Sequence, residues 1–137
     1  MKQISFDFDC TLSRKDVQDY CRSLIKKGYE AWVLTARFED YKRYNYHQIK
    51  ADCNDDLFCI ADELGIPRDR IIFANMEDKW EVINSRADFN PIFHLDDDYI
   101  EVNGINRYTK TKGIDAISPM YKKKCNKILG DEEIVAH

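Results

Sequence analysis

Short apolar runs alternate with helix-patterned segments along the whole chain, and this alternation narrows the fold more than any other feature. "QISFDF" is short and apolar, and "SRKDVQDYCRSLIKKG" after it sets Val17, Tyr20, Leu24 and Ile25 at helical spacing. Ser13 is placed to cap that helix and Gly28 to stop it. "EAWVLT" is a second apolar run. Residues 40 to 64 carry a helical pattern with a break near Asn54, and Gly65-Ile66-Pro67 ends it. "RIIFA", "PIFHL" and "GIDAIS" are further strand candidates, and "MEDKWEVINS" is a short helix between the first two. In "DYIEVNGINRY", Asn103-Gly104 reads as a hairpin turn or as a helix ending at Gly104. The helix is preferred, because parallel strands need a crossover between them. Pro119 fits the first turn of a last helix, "PMYKKKCNKIL". The expected fold class is α/β, with a central, mainly parallel five-stranded sheet covered by helices on both faces.

The chain has 137 residues, 44% hydrophobic and 34% charged, which suits one compact domain over residues 1–130 with a short tail, 131–137. Its net charge of −4 means that a nucleic-acid partner would need a local basic face, not a bulk field. No apolar run approaches the roughly 18 residues of a membrane span. The first residues lack a signal-peptide pattern. The five cysteines form an odd set without C-x-x-C spacing, which predicts reduced thiols and a cytoplasmic setting. Nothing in the sequence fixes an oligomeric state.

Three strand ends carry polar or charged groups. Asp7 and Asp9 follow the first apolar run, Thr35 and Arg37 the second, and Asp96, Asp97 and Asp98 the fourth. In a parallel sheet these ends converge on one edge, where ligands bind. Acids crowded there repel one another unless a hard cation joins them, so the cluster predicts a Mg²⁺ site. Zinc is disfavoured, since no Cys/His group has ligand spacing. A carboxylate beside Mg²⁺ can attack phosphorus, and an acid two residues along a strand, on the same side, can serve the leaving group. Thr35 and Lys79 could supply the donors that a transferring phosphoryl group needs.

These residues resemble the four motifs of the haloacid dehalogenase superfamily, in order. "DFDCT" resembles D-x-D-x-T, "WVLTAR" the second motif, "MEDKWEVI" the lysine motif, and "FHLDDD" the acidic fourth motif. The resemblance spans residues 7 to 98 and implies a three-layer, Rossmann-like fold. It implies Asp7 as nucleophile and Mg²⁺ ligand, and Asp9 as general acid/base with its backbone carbonyl on the metal. Thr35 and Lys79 would hold phosphoryl oxygens, and Asp96 or Asp97 would complete the metal site. Arg37, Arg68 and Arg70 share candidacy for the phosphate. Cys10 and Thr11, beside the acids, join the candidate substrate contacts, although many members carry Gly at the Cys10 position. Members acting on small metabolites often carry a cap domain, and only about two residues separate Thr11 from the predicted helix. A capless enzyme with an open site is implied.

"RFEDYKRYNYHQIK", residues 37 to 50, interleaves basic residues with Tyr41, Tyr44 and Tyr46, a pattern used on single-stranded nucleic acid. It is similar to a stretch in the 3′-phosphatase domain of phage-type polynucleotide kinases. A half-buried helix face with its charges solvated is the preferred reading of the tyrosines. The expected activity is Mg²⁺-dependent phosphomonoester hydrolysis on a phosphorylated substrate, a polynucleotide 3′-end being the first candidate. A nucleotidase or small-metabolite phosphatase is the alternative within the class, and a non-catalytic binding module with the same fold the alternative outside it. His94 reads as a buried structural histidine. Lys122, Lys123, Lys124 and Lys127 read as a solvated helix face.

Overall fold

The computed structural model describes residues 2–39 and 54–136. Five strands form one sheet: β1 (Gln3–Phe6), β2 (Glu30–Thr35), β3 (Ile71–Phe73), β4 (Phe93–Asp96) and β5 (Lys112–Asp115). Their spatial order is β3-β2-β1-β4-β5, and every adjacent pair is parallel. The helices are α1 (Lys15–Lys26), α2 (Asp55–Leu64), α3 (Lys79–Ser85), α4 (Tyr99–Tyr108) and α5 (Tyr121–Ala136). The expected helix pattern before Asn54 lies outside the described residues as far back as residue 40, and so do Tyr41, Tyr44 and Tyr46. Among the described residues, no helix is long and apolar enough to cross a membrane.

Because the sheet is covered on both faces, its strands alternate between two cores. Ala31 and Val33 of β2 pack with Ile4 and Phe6 of β1, Phe93 and Leu95 of β4, and buried residues of α1, α2 and α5. Trp32 and Leu34, one residue out of phase, pack with Ile72, Ile83, Phe89 and Ile105 against α3 and α4. The period of two along β1 and β4 therefore sends Ser5, His94 and Asp96 to the α3/α4 face, where an all-apolar strand would have had none. This polar line becomes the floor of the site.

Three local expectations are corrected. Ser13 does not cap α1: Arg14 holds the N-cap position, and the Ser13 hydroxyl accepts the Cys10 N–H at 3.1 Å. Gly104 neither forms a hairpin turn nor ends α4, which runs through it to Tyr108. A Cβ there would sit 2.9 Å from Cδ1 of Trp80, so the glycine serves close packing. Pro119 precedes the last helix, which starts at Tyr121. Gly28 does terminate α1, at φ +100.

Candidate active site at the carboxyl ends of the strands

β1 lies at the centre of the sheet, flanked by β2 and β4. Asp7 extends it by one residue, donating its N–H to the Leu95 carbonyl at 2.8 Å. The chain then reverses at once. Leu12 N–H reaches the Asp7 carbonyl at 3.0 Å and Ser13 N–H the Phe8 carbonyl at 2.9 Å. The turn is possible because Cys10 adopts φ 58, ψ 14, the left-handed region. Asp7 ends almost fully buried, while Asp9 and Cys10 face solvent.

Lys79, the first residue of α3, is only 2% exposed. Its Nζ donates to Asp7 Oδ1 at 2.8 Å and to Asp96 Oδ2 at 2.5 Å. Lys79, a candidate phosphate contact from the sequence, is here the cation that bridges two buried acids. His94 adds a second bond to Asp96, with Nε2 2.8 Å from Oδ2, and Ser5 Oγ lies 2.8 Å from His94 Nδ1. A carboxylate accepts only, so Nε2 carries the proton and the Ser5 hydroxyl donates to Nδ1. Complete burial keeps His94 neutral by lowering its pKa. Asp98 N–H fills Asp96 Oδ1 at 3.0 Å.

These contacts separate the two buried acids. Burial pushes the Asp7 carboxyl up to about 8, with Lys79 opposing and the Asp96 charge reinforcing the rise. Asp96 is buried too, yet the bonds from His94 and Lys79 hold it below the usual carboxylate range. Lys79 is raised: burial works against its charge, but Asp7 and Asp96 outweigh it. Burial thus disfavours the charge on Asp7, whereas the bonds from His94 and Lys79 favour it on Asp96.

Asp97 differs from its neighbour. The Thr11 hydroxyl lies 3.4 Å from both Asp97 Oδ1 and Asp7 Oδ2, a weak bridge between them. Asp7, Asp96 and Asp97 each offer an oxygen within 4.8 Å of the others, so the three can surround one metal ion. Asp96 already has Lys79, His94 and a backbone N–H as partners, which leaves Asp97 and Asp7 with the freer oxygens.

A cavity of about 380 Å³ opens above this floor, lined by Asp7, Asp9, Lys79, Asp96 and Asp97, with Met76, Glu77, Asp78, Asp98, Ile100 and Glu101 around them. Thr35, Arg37, Cys10 and Thr11 do not line it. Thr35 is buried and its hydroxyl accepts the Arg37 N–H at 3.2 Å. Arg37 forks onto Asp9 at 2.7 and 3.0 Å and onto Asp56 at 2.7 and 3.0 Å, over the Phe8 ring. Arg68 and Arg70 precede β3 and lie at the opposite end of the strands. Arg68 stacks on Phe58 and Arg70 pairs with Glu30. Glu101, which sequence reading missed, accepts the Lys79 N–H at 3.2 Å, and burial raises its pKa. Its signal was its place one helical turn after Asp97.

No family model matches the chain, and no curated protein matches it.

Proposed function

We propose that this protein is a Mg²⁺-dependent phosphomonoester hydrolase of the haloacid dehalogenase type, without a cap domain. The observation that carries the reading is the buried Asp7 carboxylate at the end of the central strand, 2.8 Å from Lys79 and within reach of Asp97 at the floor of an open cavity. The four motifs in sequence order support it. So does the short connection from β1 to α1, where only residues 7–14 intervene.

The donor set fits a hard cation: three carboxylates whose oxygens lie within 4.8 Å of one another, and no sulfur. Asp7, Asp97 and the Asp9 backbone carbonyl would hold Mg²⁺, with Asp96 behind them. When bound, the ion offsets the charge of the acids and of the phosphoryl oxygens.

The residues divide the chemistry as follows. An Asp7 oxygen attacks phosphorus, forming an aspartyl-phosphate as the ester P–O bond breaks. Asp9 gives its proton to the departing alkoxide, which leaves as the alcohol. Asp9 then takes a proton from water, whose oxygen attacks phosphorus and releases inorganic phosphate and the Asp7 carboxylate. Lys79 stabilises charge on the transferring oxygens from its fixed place on α3. Arg37 holds the Asp9 side chain at the cavity edge, with Asp56 holding Arg37 from the far side.

Turnover of para-nitrophenyl phosphate with and without Mg²⁺ tests the reading. Asp7→Asn, nearly isosteric, is expected to abolish Mg²⁺-dependent turnover while the folded-state circular dichroism is retained. Full turnover by that variant removes Asp7 as nucleophile. A wild-type protein that binds Mg²⁺ but hydrolyses no phosphoester supports the non-catalytic binding module instead.

A further inference from the structure

A second cavity lies at the other end of the sheet. Its volume is about 580 Å³, within the range of small-molecule sites. It opens where α3 and α4 end and the chain turns into β4 and β5, at the amino ends of those strands. Among the described residues no acid lines it, and its charged residues are Arg86, Arg107 and Lys110. That sign stands out in a chain of net charge −4, and it contrasts with the carboxylate floor of the first cavity. Glu39 and Asn54, which flank residues 40–53, lie at the opposite, carboxyl ends of the strands, where Asn54 Nδ2 donates to the Glu39 carbonyl at 3.4 Å and Glu39 N–H to Asn75 Oδ1 at 3.3 Å.

The cations here are available to a ligand. Among the described residues neither Arg107 nor Lys110 forms an ion pair. Arg86 forks onto Asp88 through Nε and Nη2 at 3.0 and 2.8 Å, which fixes its guanidinium and leaves Nη1 without an acceptor among the described residues. Two helix C-termini meet at this cavity, and bare carbonyls there would disfavour an anion. They are partly answered: the Tyr108 carbonyl accepts Asn84 Nδ2 at 3.1 Å, and the Ile105 carbonyl accepts the Thr109 N–H and hydroxyl at 3.0 and 2.8 Å. The rest of the lining suits a base. Tyr108 is 51% exposed, and its ring rests at a tilt on Trp80 with centroids 4.4 Å apart, so the platform is backed. The Arg107 guanidinium lies 5.7 Å from the centre of that ring. An exposed ring beside cations is what nucleobases stack on. The Asn90 side-chain amide has no partner among the described residues, and it offers the paired donor and acceptor that a base edge matches.

We propose that this second cavity binds a nucleoside polyphosphate, remote from the acidic site. The base stacks on Tyr108 with its edge toward Asn90, and the phosphates take Arg107, Lys110 and the Nη1 of Arg86. Arginine suits this role because its planar fork matches phosphate oxygens. The two cavities share no residue, so a ligand here is independent of the hydrolase reading above.

Calorimetric titration in EDTA with ADP, inorganic pyrophosphate, adenosine and a short single-stranded DNA without terminal phosphates tests this. ADP is expected to bind about tenfold or more tightly than pyrophosphate or adenosine, and to weaken in high salt. Arg107→Gln with Lys110→Gln, both at exposed positions, should weaken ADP about tenfold or more while circular dichroism and ester turnover stay unchanged. Tyr108→Leu should weaken ADP about fivefold or more and leave pyrophosphate unaffected. No binding of ADP at millimolar concentration, binding no tighter than that of adenosine or pyrophosphate, or unchanged binding by either variant overturns the inference. DNA that binds more tightly than ADP overturns it as well, and marks a strand-binding face instead. Absence of ester turnover with Mg²⁺ overturns the hydrolase reading alone and leaves this site standing.

Discussion

Cys10 carries a side chain in a backbone conformation that glycine adopts freely. Its φ of 58 is set by the reversal that turns the chain from Asp7 into α1. The left-handed region costs an L-residue about 1–2 kcal/mol. Glycine would relieve that strain but lose about 0.4–1 kcal/mol through greater freedom of the unfolded chain. Cys10→Gly is therefore expected to leave stability unchanged or raise it by up to about 1 kcal/mol in urea unfolding. A clear loss would show that the exposed thiol makes a contact worth more than the strain. The sequence displayed the departure from glycine here, but the sign of φ needed the folded turn.

Asp7 gives a second prediction at the same scale. Its pKa rises from 3.8 to about 8 on folding, burial being the main cause. The folded chain thus binds a proton more tightly than the unfolded one. Its stabilising contribution is complete below pH 4 and is lost as pH rises toward 8. In EDTA, the melting temperature should fall across this range, and Asp7→Asn should flatten the fall. Equal slopes in the two proteins would show that Asp7 is already ionised at neutral pH. The acids and Lys79 were legible as a set in the sequence because each ends a strand or opens a helix. Their pairing was not: which oxygen takes Lys79, and that His94 and Ser5 support Asp96, follows from the phase of β1 and β4 across the sheet.

Among the elements, α4 shows most plainly why local pattern has limits. Asn-Gly inside "EVNGIN" suggests a break, yet the helix passes through because Gly104 meets the Trp80 ring. That contact joins α4 to α3, and nothing within ten residues of Gly104 encodes it. Gly113, on β5, has a harder neighbour: a Cβ would fall 2.7 Å from the Val102 carbonyl oxygen, which is backbone. Gly113→Ala is expected to destabilise by about 1–3 kcal/mol, because α4 must move off the sheet. Gly104→Ala should cost less, since the Trp80 ring can tilt and Ala gains about 1 kcal/mol of helix propensity. Thermal melts of the two variants side by side will rank them. The reverse order would mean that the Trp80 ring, packed at a tilt against Tyr108 with centroids 4.4 Å apart, is the less yielding neighbour.

Across the whole molecule, the sheet carries two helical layers of unequal size. The α1/α5 side holds the larger core, and the two helices are tied at their exposed edge. Asp16 accepts bonds from Arg14 at 2.7 and 3.1 Å and from the Tyr121 hydroxyl at 2.9 Å. The Arg14 guanidinium lowers the Asp16 pKa to about 2. Stability from this tie is present above the ordinary carboxylate range and is lost as pH falls toward 2. Because Asp16 is half exposed, solvent screening limits its worth to about 0.5–1 kcal/mol. Asp16→Asn should accordingly show a shallower loss of stability between pH 4 and 2 by urea titration. Parallel layering was legible from the alternation of apolar runs, whereas a tie spanning 105 positions was not.

The central place of β1 also bears on how the chain is made. Ser5 and His94 are 89 positions apart, and their bond sits beneath Asp96, with Asp7 alongside. During vectorial synthesis β1 emerges first but can pair on its β4 side only after some ninety further residues have left the ribosome. Until then one edge of the innermost strand stays open, and Asp7 has neither Lys79 nor Asp96 beside it. Such long-range pairing slows folding and lengthens the time an unpaired edge is exposed. The functional centre is thus among the last parts of this protein to exist.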